Sequence, residues 1–313
     1  MNGNITFLVY RLEWHRRRAE ALHAARNGRL RDLADLPACK VYWAADAFAH
    51  RSPAAPPRIV DLQTQPEWTM SLSVSIPLVV ISPHLDDAVF SCGNLLAACP
   101  GSVVVTVFAG VPPVDMPAPD WDRRAGFSSA AQAVLARREE DRAGLAILDA
   151  QPVWLDFLDS QYNRRHTAGE IAAQLSKVIS LHNACAVVAP CGLYHSDHTL
   201  VHEACARLWR ERDHGGPPWL YYEEAIYRRK PGMLHKLLAR WHAAGTVSTP
   251  VDLAIGEHTA TKARACNAYA SQLAMFDSNT ISDLSAPERY WQWEASAGDS
   301  TEAQAACTSE GSA

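Results

Sequence analysis

From Pro77 onward, short and nearly continuous apolar runs alternate with longer segments whose apolar residues recur at helical spacing. The runs PLVVIS (77–82), SVVVTVFAG (102–110), PVWLDF (152–157), AVVAP (186–190) and WLYYEE (219–224) read as strands. They are rich in β-branched and aromatic residues and do not alternate apolar with polar, the pattern of strands covered on both faces. Helical patterns lie between them at 87–98, 128–148, 167–182 and 198–211. Such alternation predicts an α/β fold with a mostly parallel sheet. The expected architecture is a Rossmann-like three-layer α/β/α domain in which the strands at 77–82 and 186–190 are neighbours. Past Tyr227 the pattern loosens, giving a helix near 232–243, a strand near 249–255 and helices near 257–275 and 286–294. No internal repeat is evident.

Residues 1–69 differ in character. A basic helical stretch around Glu13–Arg31 leads into the Pro/Ala-rich segment RSPAAPPR (51–58). The division expected is a helical or irregular N-terminal extension over 1–69, a catalytic unit over 70–296 and a disordered tail over 297–313. The extension reads either as a genuine appendage or as the product of an upstream translation start.

Bulk properties narrow the function. Hydrophobic residues make up 48% and charged residues 20%, enough for a sizeable core. Net charge is −5 from 29 basic and 34 acidic residues, which argues against a nucleic-acid partner, since such proteins need a basic footprint. No apolar run reaches the roughly 20 residues that span a bilayer. The start of the chain lacks the order of features that marks a secretory signal. The eight cysteines form no C-x-x-C pair, so neither a structural zinc site nor a disulfide framework is indicated. Cytoplasmic residence is the default, and homo-oligomerisation stays open.

Two motifs carry chemistry. The first strand runs out into ISPHLDDAVFSCGN (81–94), which places His84, Asp86 and Asp87 at a strand-to-helix junction. In open α/β sheets, ligands bind beyond the carboxyl ends of strands. Imidazole and carboxylate are good zinc ligands, and a second carboxylate beside them can serve as a base toward water. Gly93 would allow close packing against the strand. The fourth strand runs out into PCGLYHSDHTLVHEA (190–204), with His195, Asp197, His198 and His202 in one window. His198 and His202 are spaced to share a helix face, and Asp197 can orient a neighbouring histidine. Alone, each cluster also has an ordinary reading: the aspartates as helix caps, the histidines as solvated or satisfied side chains. Together, at the exits of two strands flanking a switch point, they point to a shared metal site.

PHLDDAVFSCG followed by HSDHTLVH resembles the PIG-L/LmbE-like family of zinc-dependent N-acetylglucosaminyl deacetylases. The resemblance covers about 70–295 and extends to ARREED (136–141), YYEEAIY (221–227) and KARACNAYASQ (262–272). It implies His84, Asp87 and His198 as metal ligands, with zinc as the metal and ferrous iron as the alternative. It implies Asp86 as general base, His195 as electrophile or general acid, and Asp197 as support for the histidines, raising the pKa of His195. The substrate implied is a small N-acetyl amino-sugar conjugate. The alternatives are an amidase acting on a non-sugar or thiol conjugate, and a non-catalytic sugar-binding module. Leu85, Ala88 and Asn94 depart from the family pattern; they spare the ligands and base and bear on which substrate fits.

Other residues have plainer expectations. Arg137, Arg138 and Glu139 read as helix-surface ion pairs, with a chance for one arginine to reach the site. Tyr222 and Glu223 are pocket candidates, and Glu223 and Glu224 also read as a solvated strand end. Lys262 and Gln272 tie down the C-terminal helix. Cys92 and Cys191 read as packing residues, and the Pro-rich loop 111–126, with Trp121, Asp122 and Arg123, as a lid or substrate-reading segment.

Overall fold

The computed structural model describes residues 70–72, 77–212 and 216–294. The expectations for 1–69 and 297–313 lie outside the described residues. An eight-stranded sheet organises the rest. In chain order its strands are β1 (Met70–Leu72), β2 (Leu78–Ser82), β3 (Val103–Thr106), β4 (Gln151–Trp154), β5 (Ala186–Pro190), β6 (Trp219–Tyr222), β7 (Val247–Leu253) and β8 (Tyr290–Glu294). Across the sheet they stand β1-β7-β8-β6-β5-β2-β3-β4. β8 pairs antiparallel with both β6 and β7, and every other pairing is parallel.

Strand alternation divides the core into two layers. Leu78 and Val80 of β2 point into one apolar cluster, and Val79 and Ile81 into the other. Since both faces need cover, β2 is buried at every position. Helices α1 (Asp87–Ala98) and α3 (Ala130–Ile147) help cover the first face, with α7 (Thr259–Cys266) packed against both. Helices α4 (Ala168–Leu181), α5 (Ser196–Glu211) and α6 (Met233–Ala243) cover the second. Three short helices complete the set: α2 (Asp120–Arg124), α8 (Ala270–Leu273) and α9 (Ser278–Asp283). The three-layer α/β/α reading holds.

From β2 the chain steps outward through β3 to β4, while β5 and β6 build the sheet on the other side of β2. The carboxyl ends of β2 and β5 therefore flank a topological switch point, where the two loops diverge and leave a crevice. Val80 pairs with Val188 in that neighbouring register.

One element was misread. The helix expected near 286–294 is strand β8. Its sequence YWQWE is dense in large aromatics, which favour a pleated surface and lose rotamer freedom in a helix. Tyr290 and Trp293 are buried in opposite layers. The loop 111–126 also holds more order than expected. Its helix α2 buries Asp122, whose carboxylate meets Arg137 Nη1 at 2.8 Å and accepts from Tyr162 Oη at 2.9 Å. Arg137 is thus a buried partner of that loop and not a surface ion pair, whereas Glu139 and Arg142 do form an exposed one.

Candidate metal and hydrolytic site

The turn after β2 is braced before it meets α1. Ser82 Oγ donates to the His84 carbonyl at 2.6 Å and accepts from Ala88 N at 3.0 Å. Asp87 Oδ2 accepts the His84 backbone N–H at 2.9 Å and lies 3.3 Å from His84 Nδ1. Asp86 occupies the cap position of α1 but its side chain makes no cap hydrogen bond. The ordinary capping explanation therefore leaves the Asp86 carboxylate, only 6% exposed, without a structural task.

Helix α1 breaks its helical geometry at Cys92 (φ −129°, ψ 18°). The Asn94 and Leu95 N–H groups donate to Glu288 at 2.8 and 3.2 Å. Lys262 Nζ, 2.7 Å from Glu288, completes this buried splint, which ties α7 to α1 as expected of Lys262. A Cβ on Gly93 would lie 2.6 Å from Lys262 Cγ. The glycine thus makes room for a lysine stem, a correction to the expected packing against the strand.

The loop after β5 is equally specified. Gly192 has φ +80°, and a Cβ there would meet His202 Cβ at 2.6 Å. Tyr194 follows at φ 64°, unusual for a non-glycine residue. The chain then enters α5 with His195 at its cap, where Nδ1 accepts from Asp197 N at 3.2 Å.

These two turns bring His84, Asp87 and His198 together, with one ligand atom from each within 4.8 Å of the others. His198 Nε2 stands 3.1 Å from Asp87 Oδ2, the oxygen that also faces His84 Nδ1. Each imidazole turns its other nitrogen to a second carboxylate. His84 Nε2 lies 3.2 Å from Asp197 Oδ2, and His198 Nδ1 lies 3.3 Å from Glu224 Oε1. Carboxylate-backed histidines with fixed tautomers are the usual partners of a bound metal. His198 Nε2 is buried with no hydrogen bond of its own. An orphaned ring nitrogen beside a buried carboxylate fits a divalent cation held by an N/O donor set with room for another ligand.

The electrostatics agree. Burial opposes charge on His198, yet Asp87 and Glu224 on either side raise its pKa to about 9. Burial also opposes the His84 cation, and hydrogen bonds with Asp197 and Asp87 nevertheless hold its pKa well above the usual range. The pocket demands positive charge. Asp86 moves the other way from Asp87: burial, then the neighbouring Asp87 carboxylate, push it up to about 7.

Asp197 does not serve His195 as expected. Its Oδ2 accepts from Ser160 N at 3.2 Å and binds His84, while His195 Nδ1 is 4.0 Å away. Burial first, then the His84 charge, lower the His195 pKa despite Asp197. His202 is outside the cluster. Its Nδ1 donates to the Pro190 carbonyl at 2.9 Å, and its Nε2 accepts from Trp241 Nε1 at 3.1 Å. Glu224 was underestimated. It is fully buried, and besides His198 it accepts from Gly192 N and Leu193 N at 2.7 and 3.0 Å. Its sequence signal was its place at the carboxyl end of β6, beside the site strand. Glu223 turns elsewhere, accepting from Trp291 Nε1 at 2.9 Å. Tyr222 donates its hydroxyl to the Ile81 carbonyl at 2.9 Å. Cys92 and Cys191 are packed in the core.

Comparison with known proteins follows this geometry. Residues 79–209 match the PIG-L family, described as GlcNAc-PI de-N-acetylase. A solved structure of A40926 pseudoaglycone deacetylase is similar at 27% identity and a TM-score of 0.56, covering 71% of this chain and 98% of that one. The zinc-inhibited form of teicoplanin deacetylase is similar at 25% identity and a TM-score of 0.59, covering 71% and 99%. A deacetylase–teicoplanin complex is similar at 26% identity and a TM-score of 0.56, covering 69% and 97%. No curated protein sequence matches. Among the described residues, no helix is long and apolar enough to cross a membrane.

Proposed function

Since this chain carries a PIG-L domain and is similar to LmbE-like deacetylases, we propose that it hydrolyses the acetamide of an N-acetyl amino-sugar conjugate. The observation that carries the reading is the convergence of His84, Asp87 and His198, with Asp197 and Glu224 behind the two imidazoles. His84 Nδ1, Asp87 Oδ2 and His198 Nε2 would hold zinc, or ferrous iron under anaerobic handling. When bound, the metal supplies Lewis acidity toward the amide oxygen and toward water.

The remaining work falls to side chains of this chain. Asp86, raised to about 7 by burial and by Asp87, is suited to take a proton from the attacking water near neutral pH. Because its carboxylate has no capping bond to break, proton uptake leaves α1 undisturbed. The Asp197 N–H occupies His195 Nδ1, so in the neutral ring the proton sits on Nε2. His195 then acts as a neutral N–H donor toward developing negative charge, a role that needs no imidazolium. The proton collected by Asp86 is the one available to the leaving amine as the C–N bond breaks.

The test is metal analysis of protein purified without added metal, followed by turnover on a panel of N-acetyl sugars and non-sugar acetamides. Near-stoichiometric metal and release of acetate from the sugars are expected. Turnover confined to non-sugar amides would replace the substrate class, and an absence of metal that added zinc or iron does not restore would defeat the reading.

A further inference from the structure

Beside the hydrolytic site lies a cavity of about 540 Å³, a size suited to a small organic group. It meets the site at Asp197 and Ser160, and its wall includes Phe108, which faces His84 at a ring distance of 5.7 Å. Arg164, Arg165 and His166 line it on one side, and residues of α5 line it on the other. Neither arginine has an ion-pair partner among the described residues, and both are exposed.

Their backbone is nevertheless held at both ends. Upstream, Ser160 N donates to Asp197, and buried Tyr162 donates its hydroxyl to Asp122 at 2.9 Å. Asn163 closes that turn at φ 57°. Downstream, His166 Nε2 donates to the Leu158 carbonyl at 3.2 Å, and Thr167 begins α4 with a capping box. Two guanidiniums are thus mounted on a pinned segment at the rim of a cavity. Against them stands the exposed Glu203 on the α5 wall. Asp197 is already engaged by His84 and the Ser160 N–H, and Asp159 accepts from Gln161 N and lies 3.7 Å from His84 Nε2. The excess charge facing the cavity is positive. Planar guanidinium forks match the oxygens of phosphate and carboxylate.

We infer that the group to which the amino sugar is joined carries a phosphate or carboxylate, and that Arg164 and Arg165 receive that anion in this cavity. The inference rests on the deacetylase reading and names the substrate class for it. Metal-loaded, full-length protein is given methyl N-acetylglucosaminide, N-acetylglucosamine 1-phosphate and carboxymethyl N-acetylglucosaminide. One of the two anions should exceed the methyl glycoside in kcat/KM by about tenfold, the scale of two charge-assisted contacts. The R164A/R165A variant should narrow that ratio by about the same factor, and added salt should narrow it too. A methyl glycoside used as well as either anion, or a ratio that the double variant leaves unchanged, overturns the inference. If no acetamide is hydrolysed, the deacetylase reading fails separately. Calorimetry with glucose 1-phosphate then still decides the cavity. Binding weakened about tenfold in the double variant supports it, whereas no saturable binding, or equal affinity in both proteins, overturns it.

Discussion

His198 and His202 stand one turn apart on α5, both buried, and the surroundings of each ring give it an opposite character. His198 looks toward the switch point, between the carboxylates of Asp87 and Glu224, and its pKa rises to about 9. His202 looks into a layer of aromatic rings. Trp241 stacks on it at 5.6 Å, with Tyr221 and Trp293 edge-on. Burial there lowers its pKa to about 4, and a backbone carbonyl and an indole N–H satisfy its two nitrogens. Sequence spacing puts both on one helix face. What separates a ligand candidate from a core residue is whether the second nitrogen is left unpaired, and only His198 Nε2 is.

That contrast can be broken by substitution, ranked here by effect on turnover. The largest effect belongs to His198→Ala. Removing one of three donors should empty the site, leaving turnover at background and metal content near zero by elemental analysis. Retention of stoichiometric metal by this variant would reduce His198 to the structural class of His202.

Next comes Asp86→Asn, which keeps the shape of the site but removes the group poised near neutral pH. Turnover should fall by about two to four powers of ten with metal retained. Asp87→Ala should instead lose the metal. If the two variants exchange behaviours, base and ligand have been assigned the wrong way round.

Glu224→Gln is milder. The amide oxygen can still accept from Gly192 and Leu193, but the charge behind His198 is gone. Metal affinity should weaken by about 10- to 100-fold, measured by chelator competition. An unchanged affinity would mean that Glu224 only ties the loop to β6.

The same contrast explains what could be read from the chain. β2, β3, β5 and the helices after them were legible because a strand buried on both faces must be apolar throughout, and SEQ-level periodicity then changes abruptly from strand to helix. His84, Asp87 and His198 were legible because a motif at each of two strand exits leaves few alternatives at a switch point. β8 was not, since its partners β6 and β7 lie far away in sequence and its aromatics suit either element until those partners are known. Glu224 and the His195–Asp197 relation were hidden for a related reason. Adjacent glutamates look alike in sequence, yet Glu224 reaches His198 while Glu223 reaches Trp291. Likewise, Asp197 is two residues from His195 but spends its carboxylate on His84, 113 positions away.

The smallest effect on turnover, none, is expected of His202→Gln, and its signature is elsewhere. Glutamine can accept from Trp241 and donate to the Pro190 carbonyl, so the two hydrogen bonds that hold the ring survive without a titratable group. In the native protein the folded ring resists protonation until about pH 4, while the unfolded ring protonates near 6.5. Above pH 6.5 both states are neutral, and His202 adds no pH dependence. As pH falls from 6.5 toward 4, the unfolded chain takes up a proton that the folded chain refuses, so stability is lost in that window, by up to about 3 kcal/mol. The difference in denaturation free energy between native protein and His202→Gln should therefore shift over that interval in favour of the variant. Other titrating groups, His84 and His198 included, cancel in the difference. A flat difference would mean that the ring is protonated in its aromatic layer. A loss of metal or turnover at pH 7 would bring His202 into the site and erase the distinction between the two faces of α5.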